Sequence, residues 1–349
     1  MPCRKLSDPG PLRGPAIDGG LGLSAVTCNL CGKDDYDIVF EKGVAQRSRI
    51  VRCRHCSLMY SNPREADVDC VEIAQYDPEH VLDAIMNRSK WRLEKEALQV
   101  RDYESTRRYL AELFPQRGRL VEIGSGLGYL LDFFRKDGWT ALGVEPNEGL
   151  CRYARQILGV DARGGTIEQA RLDADFADVV TMIHVIEHVP DPAAVFREVF
   201  RVLRPGGCFV VETPRYDTLM LKLLGKRERS LSCNGHIYFF TSETLKQMAA
   251  AAGFKLLRHE CVGRSMTLDR LLYNIGVISK SKAVQKAVYD TSRQLRLSRF
   301  SLTVNVRDMQ RIYLHKPQEV VQEPRPAADA DDTAEATTGA QADALHPVY

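Results

Sequence analysis

The spacing of apolar positions changes along the chain, and each change predicts a different kind of element. Residues 1–24 are rich in Pro and Gly with few apolar anchors, which predicts a flexible leader. Within 25–62, short strand-like runs stand at Ile38-Val39-Phe40 and Ile50-Val51. Across 63–115, Leu93, Ala97, Leu98, Val100, Tyr103, Tyr109, Leu110 and Leu113 recur at helical spacing, predicting a helical connector or cap. From 119 onward, strand and helix patterns alternate: strands at 119–123, 140–144, 178–185 and 208–213, and helices at 129–137, 149–158 and 192–203. Such alternation with short loops implies a parallel sheet covered on both faces. A helix over 242–252, closed by Gly253, and a strand over 254–262 continue the series. The pattern then predicts a helical insertion to about Leu297 and an extended pair around Leu302–Val306 and Gln310–Leu314. Residues 317–349 hold few large apolar side chains and are predicted to be disordered.

Composition narrows the picture modestly. Hydrophobic residues make up 44% and charged residues 27% of 349, a globular balance that accommodates one large domain and a smaller one. The formal charge of +2 neither favours nor disfavours a nucleic-acid partner, so local charge has to decide. The stretch 264–316 is basic, with eleven Lys or Arg against three Asp. No apolar run approaches the ~20 residues of a membrane span, and the N-terminus lacks the apolar stretch of a signal peptide. The expected location is the cytoplasm, where cysteines serve as thiols or metal ligands.

The first strand of the alternating region runs into Glu122-Ile123-Gly124-Ser125-Gly126-Leu127-Gly128 and then a helix. Glycines let backbone N–H groups approach a ligand, placing a polar ligand at the strand's carboxyl end and the helix N-terminus. A dinucleotide fingerprint needs its third glycine at 129, where this chain has Tyr129. Glu122 would also repel a pyrophosphate but suits an ammonium. The next strand ends in Glu145, where a carboxylate can accept from both ribose hydroxyls. A carboxylate for an amine and another for a ribose match S-adenosylmethionine.

Upstream, Cys28-Asn29-Leu30-Cys31 and Cys53-Arg54-His55-Cys56 form two C-x2-C pairs with 21 residues between them. Four thiolates brought together this way match a structural four-cysteine zinc ribbon over 25–62, with Gly32 supplying a tight turn. A redox dithiol fits poorly, because one pair suffices and the βαβ context is missing. The remaining cysteines show no pairing pattern.

The segments VEIGSGLGYLL, GVEPNEGLCRYA, GTIEQA, ADVVTMIHVIEHVPDP, VFREVFRVLRPGGCFVVETP and GHIYFFTSETLKQMAAAAGF together resemble the class I S-adenosylmethionine-dependent methyltransferases. Within that superfamily they look most like bacterial small-molecule enzymes, including ubiquinone-type O-methyltransferases and sugar-modifying enzymes. The resemblance covers about 115–262, with a final strand near 309–316. It implies a Rossmann-like α/β fold with a seven-stranded, mostly parallel sheet and an antiparallel last hairpin, so that 116–316 form the catalytic domain with a basic insertion at about 264–300. It also implies that Glu122, Gly124, Ser125, Gly126 and Gly128 line the methionine part of the cofactor, with His184 beside it. Glu145 then holds the ribose, and Thr166, Ile167 and Glu168 lie in the adenine-contacting loop. The CNLCG…VRCRHCSLMYSNP arrangement resembles a ribbon that precedes many bacterial methyltransferase domains.

Methyl transfer from a sulfonium relies on positioning, and a hydroxyl acceptor also needs a base. His188 and His236 are the candidate catalytic bases. Each has a plainer reading, in helix capping or loop anchoring, and Glu187 with His188 also forms an oxygen–nitrogen pair that a divalent ion could use. Three functions remain open on the sequence. The first is methylation of a small molecule or glycan at O, C or N. The second is an RNA methyltransferase that uses the ribbon and basic insertion to hold a backbone. The third is a non-catalytic cofactor-binding module.

Overall fold

The computed structural model describes residues 23–41, 48–64, 99–225, 231, 235–268 and 297–318, with 271–272, 287–288, 290–291 and 294–295. The expected leader up to 22, connector residues 65–98, most of the basic insertion and the tail from 319 lie outside the described residues.

Near the N-terminus, β1 (Tyr36–Phe40), β2 (Ile50–Cys53) and β3 (Met59–Ser61) form an antiparallel meander. Helix α1 (Glu104–Leu113) follows a 3-10 turn at Val100–Tyr103. The catalytic-type sheet begins with β4 (Arg119–Ile123), α2 (Tyr129–Lys136), β5 (Thr140–Glu145), α3 (Glu148–Tyr153) and β6 (Asp161–Gly164). It continues with β7 (Ala177–Ile183), α4 (Pro192–Val202) and β8 (Leu203–Pro214). A short α5 (Leu219–Leu224), β9 (Tyr238–Phe239), α6 (Ser242–Ala251), β10 (Lys255–Thr267) and β11 (Ser301–His315) complete the order.

Seven strands form one sheet in the order β10-β11-β8-β7-β4-β5-β6. The five from β8 to β6 are parallel, while β11 is antiparallel to both of its neighbours, β8 and β10. This is the Rossmann-like class I methyltransferase arrangement, with the expected antiparallel hairpin at one edge. The chain runs outward from β4 through β5 to β6, then returns to the other side of β4 as β7. That reversal opens a crevice at the carboxyl ends of β4 and β7, where open α/β sheets bind ligands.

Helices cover the sheet with their apolar stripes. On α4, Val195, Phe196, Val199 and Val202 are buried, and the Phe196 ring meets Phe209 of β8 and Phe254 edge-on. Asp191 caps α4 by accepting from the Ala194 N–H at 2.8 Å, with Pro192 at the first turn.

Several boundaries differ from the sequence pattern. β10 runs to Thr267, so 264–267 are strand rather than the start of a helical insertion. The two expected segments near 302–314 are one strand, β11, that changes register against β10 between Val262 and Arg264. Their pairing partner is the other long strand, and pairing between segments so far apart in sequence is invisible to local periodicity. β8 starts at Leu203, which pairs with Ala177, and Arg204-Pro205-Gly206-Gly207 form an irregularity before pairing resumes at Cys208. The short β6 carries too few apolar residues to register in the pattern. The helix expected over 149–158 ends as a π-type turn at Ala154–Leu158.

The meander is not a separate body. β3 pairs with β9, matching Met59 with Phe239 and Tyr60 with Tyr238, so a strand from beyond β8 completes a four-stranded sheet. Val51, Cys53, Leu58 and Tyr60 share one buried cluster with Phe209 and Ile312 of the large sheet.

Candidate active site

The glycine loop is held by its backbone. Gly124, Gly126 and Gly128 have φ of +68°, +54° and +82°, a region where a side chain is strained. Their surroundings differ. A Cβ on Gly124 would strike Val185 Cγ2 at 2.3 Å, and one on Gly128 would strike Ala154 Cβ at 2.9 Å. A Cβ on Gly126 would meet nothing within 4 Å. So the outer two glycines permit close packing of strand, loop and helix, while the middle one opens onto the crevice.

Glu145, at the end of β5, is buried and ties the loop down. Its Oε2 accepts from the Gly126 N–H and its Oε1 from the Asn147 N–H, both at 3.0 Å. These two bonds fix the orientation of the carboxylate. Glu122 is buried at the end of β4. Ser125 Oγ is buried without a hydrogen bond among the described residues, a polar atom left for a ligand. These features fit the amino acid and ribose parts of S-adenosylmethionine. Beyond β6, Thr166 is half-buried and Glu168 exposed, whereas Ile167 is part of the main core cluster.

Across the crevice, β7 is followed by His184, whose φ of +56° turns the chain out of the sheet. Its N–H donates to the Glu212 carbonyl at 2.9 Å. Its imidazole stands between two carboxylates, Nε2 at 3.3 Å from Glu212 Oε1 and Nδ1 at 3.7 Å from Glu187 Oε1. Burial works against its protonation, yet the Glu187 and Glu212 carboxylates prevail and raise its pKa. Glu212 is in turn clamped by the fully buried Arg311, whose Nε donates to Oε2 at 2.7 Å. Arg311 Nη1 donates to Thr106 Oγ1 at 2.7 Å, and the guanidinium lies over the Tyr103 ring at 4.6 Å. Burial pushes the Glu212 carboxyl up, but Arg311 and His184 hold it at about 2.

Glu187 is fully buried. Its Oε2 accepts from Thr213 Oγ1 at 2.9 Å, and His236 Nε2 lies 4.0 Å from Oε1. The backbone brings this about: the Ile237 and Tyr238 N–H groups both donate to the Glu187 carbonyl, at 2.9 and 3.1 Å. The His188 and His236 rings meet edge-on with centroids 4.7 Å apart. His188 Nδ1 faces the Gly235 carbonyl at 3.0 Å, and His236 Nδ1 the Tyr216 hydroxyl at 3.1 Å. Tyr216 also lines a cavity of about 510 Å³ between the meander and α5, with Phe40, Met59, Leu221 and Lys222 among its walls.

The two cysteine pairs converge. Cys28 Sγ lies 3.3 Å from Cys56 Sγ and Cys31 Sγ 3.5 Å from Cys53 Sγ, with all four sulfurs within 4.8 Å of one another. The pairs are conformational twins. Gly32 N–H donates to the Cys28 carbonyl at 2.7 Å and Ser57 N–H to the Cys53 carbonyl at 3.0 Å, with φ of +74° and +64° at those residues. Four convergent thiols of this kind suit tetrahedral zinc, whose Zn–S bonds are about 2.3 Å. Burial raises the Cys28 thiol to about 11, so a cation is what would favour its thiolate.

Sequence reasoning thus named the members of both glycine loop and knuckles, and the structure brings His184, His188 and His236 to one crevice. It missed Glu212, Thr213, Tyr216 and Arg311. A signal existed for two of them. Glu212 in Phe209-Val210-Val211-Glu212 and Arg311 in Gln310-Arg311-Ile312-Tyr313 are charges inside apolar strand runs, which a fold tolerates only when they are paired.

Comparison with known proteins supports this reading. The sequence model of a family described as "Methyltransferase domain" matches residues 94–259. A protein of Mycolicibacterium smegmatis, named a probable S-adenosylmethionine-dependent methyltransferase, is 37% identical over 100 residues, 28% of this chain and 39% of that protein. The ubiquinone biosynthesis O-methyltransferase of Aeromonas salmonicida is 28% identical over 211 residues, 54% of this chain and 83% of that protein. The chain therefore spans well under half of one curated relative and most of another. Among solved structures, an S-adenosylmethionine-dependent methyltransferase of Archaeoglobus fulgidus superposes with a TM-score of 0.44 at 19% identity, covering 65% of this chain and all of that one. The family match supports a class I S-adenosylmethionine-dependent methyltransferase domain over residues 94–259, in keeping with the seven-strand order and the glycine loop after β4.

Proposed function

We propose that the chain transfers the methyl group of S-adenosylmethionine to a small-molecule or glycan acceptor. The observation that carries the donor half is the Glu145 carboxylate, fixed by two backbone N–H groups beside a glycine whose Cβ direction is open. On this reading Glu122, Gly124, Ser125, Gly126, Gly128 and His184 surround the methionine part. Glu145 holds the ribose, and Thr166, Ile167 and Glu168 flank the adenine. The bound cofactor supplies an electrophilic methyl on a sulfonium. The protein's task is to hold the acceptor in line and to exclude water.

His188 and His236 stand on the acceptor side, where an imidazole can take a hydroxyl proton. The acceptor itself occupies the crevice and the cavity behind Tyr216, whose mostly apolar walls, with Arg52, Asp217 and Lys222 among them, suit a compact organic molecule. Relatives named for ubiquinone biosynthesis support a small-molecule acceptor. The four cysteines hold zinc, which fixes the meander and through β9 the position of His236.

Isothermal titration with S-adenosylmethionine tests the donor half: binding is expected in the micromolar range, and absence of binding overturns it. Labelled methyl groups then report the acceptor. Transfer into the low-mass fraction of a cell extract supports this function. Transfer into RNA alone assigns the chain to nucleic-acid methylation, and cofactor binding without any transfer assigns it to a non-catalytic binding role.

A further inference from the structure

The geometry points to a second metal centre in this chain: Glu187, His188 and His236 bind one divalent cation at the acceptor end of the crevice. The two imidazoles then act as ligands rather than as bases. One potential ligand atom from each residue lies within 4.8 Å of the other two. That limit is about 1.4 to 1.8 Å wider than the ligand spacing around an ion bound at ~2.1 Å, a gap that side-chain rotations close.

Glu187 Oε1 is the strongest sign. The residue is fully buried, and this oxygen makes no hydrogen bond among the described residues. Its imidazole neighbours, His184 Nδ1 and His236 Nε2, stand at 3.7 and 4.0 Å. A buried carboxylate oxygen left unbonded costs free energy that coordination of a cation recovers.

Each ligand is also held from behind, as metal ligands characteristically are. Thr213 Oγ1 donates to the other oxygen of Glu187. The Gly235 carbonyl can only accept, so it fixes a proton of His188 on Nδ1 and orients Nε2 as the ligand atom. The Tyr216 hydroxyl, which can donate or accept, holds His236 Nδ1 from behind. His184 is outside the set, because both of its ring nitrogens face carboxylates.

Two imidazoles and a carboxylate favour a borderline ion such as Zn2+ and accept Mn2+ more readily than Mg2+, and they differ from the soft thiolates of the cysteine site. Three protein ligands leave coordination positions open for acceptor oxygens, whose protons the cation would acidify. That catalytic part rests on the proposed methyltransferase function; the binding of the ion does not.

The test uses Mn2+, which thiolate sites disfavour, added to full-length protein that already carries one equivalent of zinc. Electron paramagnetic resonance is expected to show a single Mn2+ retained per chain. Glu187→Gln and His236→Gln are each expected to weaken it at least ~10-fold, while His55→Gln, an exposed imidazole beside the cysteines, leaves it unchanged. No retained Mn2+, together with no zinc beyond the cysteine equivalent, overturns the site. So does retention that survives both Glu187→Gln and His236→Gln. Should Glu187→Gln fail to fold, His188→Gln and His236→Gln decide the matter, with near-ultraviolet dichroism as the folding control. A protein that holds Mn2+ yet does not bind S-adenosylmethionine refutes the donor assignment and leaves the cation site standing.

Discussion

The two halves of the crevice are built in opposite ways. Apart from His184, the donor half comes from one unbroken stretch, residues 119–168, in which strand, glycine loop, helix and second strand follow each other along the chain. The acceptor half is assembled from β3, the 184–188 turn, the end of β8, the 235–240 segment and β11, which are far apart in sequence. The donor half is therefore set by local backbone geometry. Long-range strand pairing and buried charge set the acceptor half, so a change far from the crevice can still reach it.

The largest effect is expected where that dependence begins. Cys53→Ser removes one of four converging sulfurs. Metal binding supplies much of the folding free energy of so small a module, about 10 kcal/mol or more in isolated zinc-binding peptides. The variant should lose its zinc by elemental analysis and melt at least ~10 °C lower by calorimetry, as a loss of a few kcal/mol would produce. Because β3 holds β9, and β9 carries His236 to Glu187, methyl transfer should fall much further than affinity for S-adenosylmethionine. Equal losses in both halves would break the contrast.

Acid should separate the halves next. Glu212 has its carboxyl held at about 2 against an ordinary 4.5, because Arg311 and His184 outweigh its burial. A depressed carboxyl contributes stability that is fully present above its unfolded value and is lost as pH falls through the folded one. The window here runs from pH 4.5 down to about 2, and the shift corresponds to roughly 3 kcal/mol. Urea melts at neutral pH and at about pH 3 should show a fall in stability that is smaller in Glu212→Gln. An identical fall in the variant would remove Glu212 from the account.

The same difference in construction decides which parts of the molecule were legible in the sequence. Gly124, Gly126, Gly128 and Glu145 were legible because a strand-to-helix turn states its needs within a few residues. The cysteine pairs were legible because a C-x2-C knuckle is equally local, down to Gly32. Its twin Ser57 was not, because a serine at positive φ carries no sequence mark. Glu212 and Arg311 were visible only as charges out of place in apolar strands, since their meeting depends on β11 lying beside β8. The extension of β10 to Thr267 was hidden for the same reason.

Glu145→Ala probes the donor half alone. It removes the acceptor of the Gly126 and Asn147 N–H groups and the proposed partner of the ribose. Hydrogen bonds to a charged group contribute about 1.5–3 kcal/mol, so affinity for S-adenosylmethionine should drop roughly 10- to 100-fold by calorimetry. Zinc content and Mn2+ retention should stay as they were. If the cation leaves with the cofactor, the halves are coupled more tightly than their construction implies.

The smallest effect lies at the seam between meander and sheet. Asn29, inside the first cysteine pair, donates from Nδ2 to Asp191 and accepts through Oδ1 from the Ala193 N–H, both at 2.8 Å. It thereby pins the knuckle to the start of α4, the helix that follows the Glu187-His188 turn. Asn29→Ala should cost about 1 kcal/mol of stability, the usual loss for a cap-type contact at the surface. Zinc content and cofactor affinity should remain unchanged. Turnover is the informative quantity, because the pin is a second tether, beside β9, between the cysteine module and the acceptor residues. A loss of methyl transfer out of proportion to the loss of stability would mean that the knuckle's position is transmitted through α4 as well as through β9. Unchanged turnover would leave the β3–β9 pairing as the route by which the cysteine module places His236.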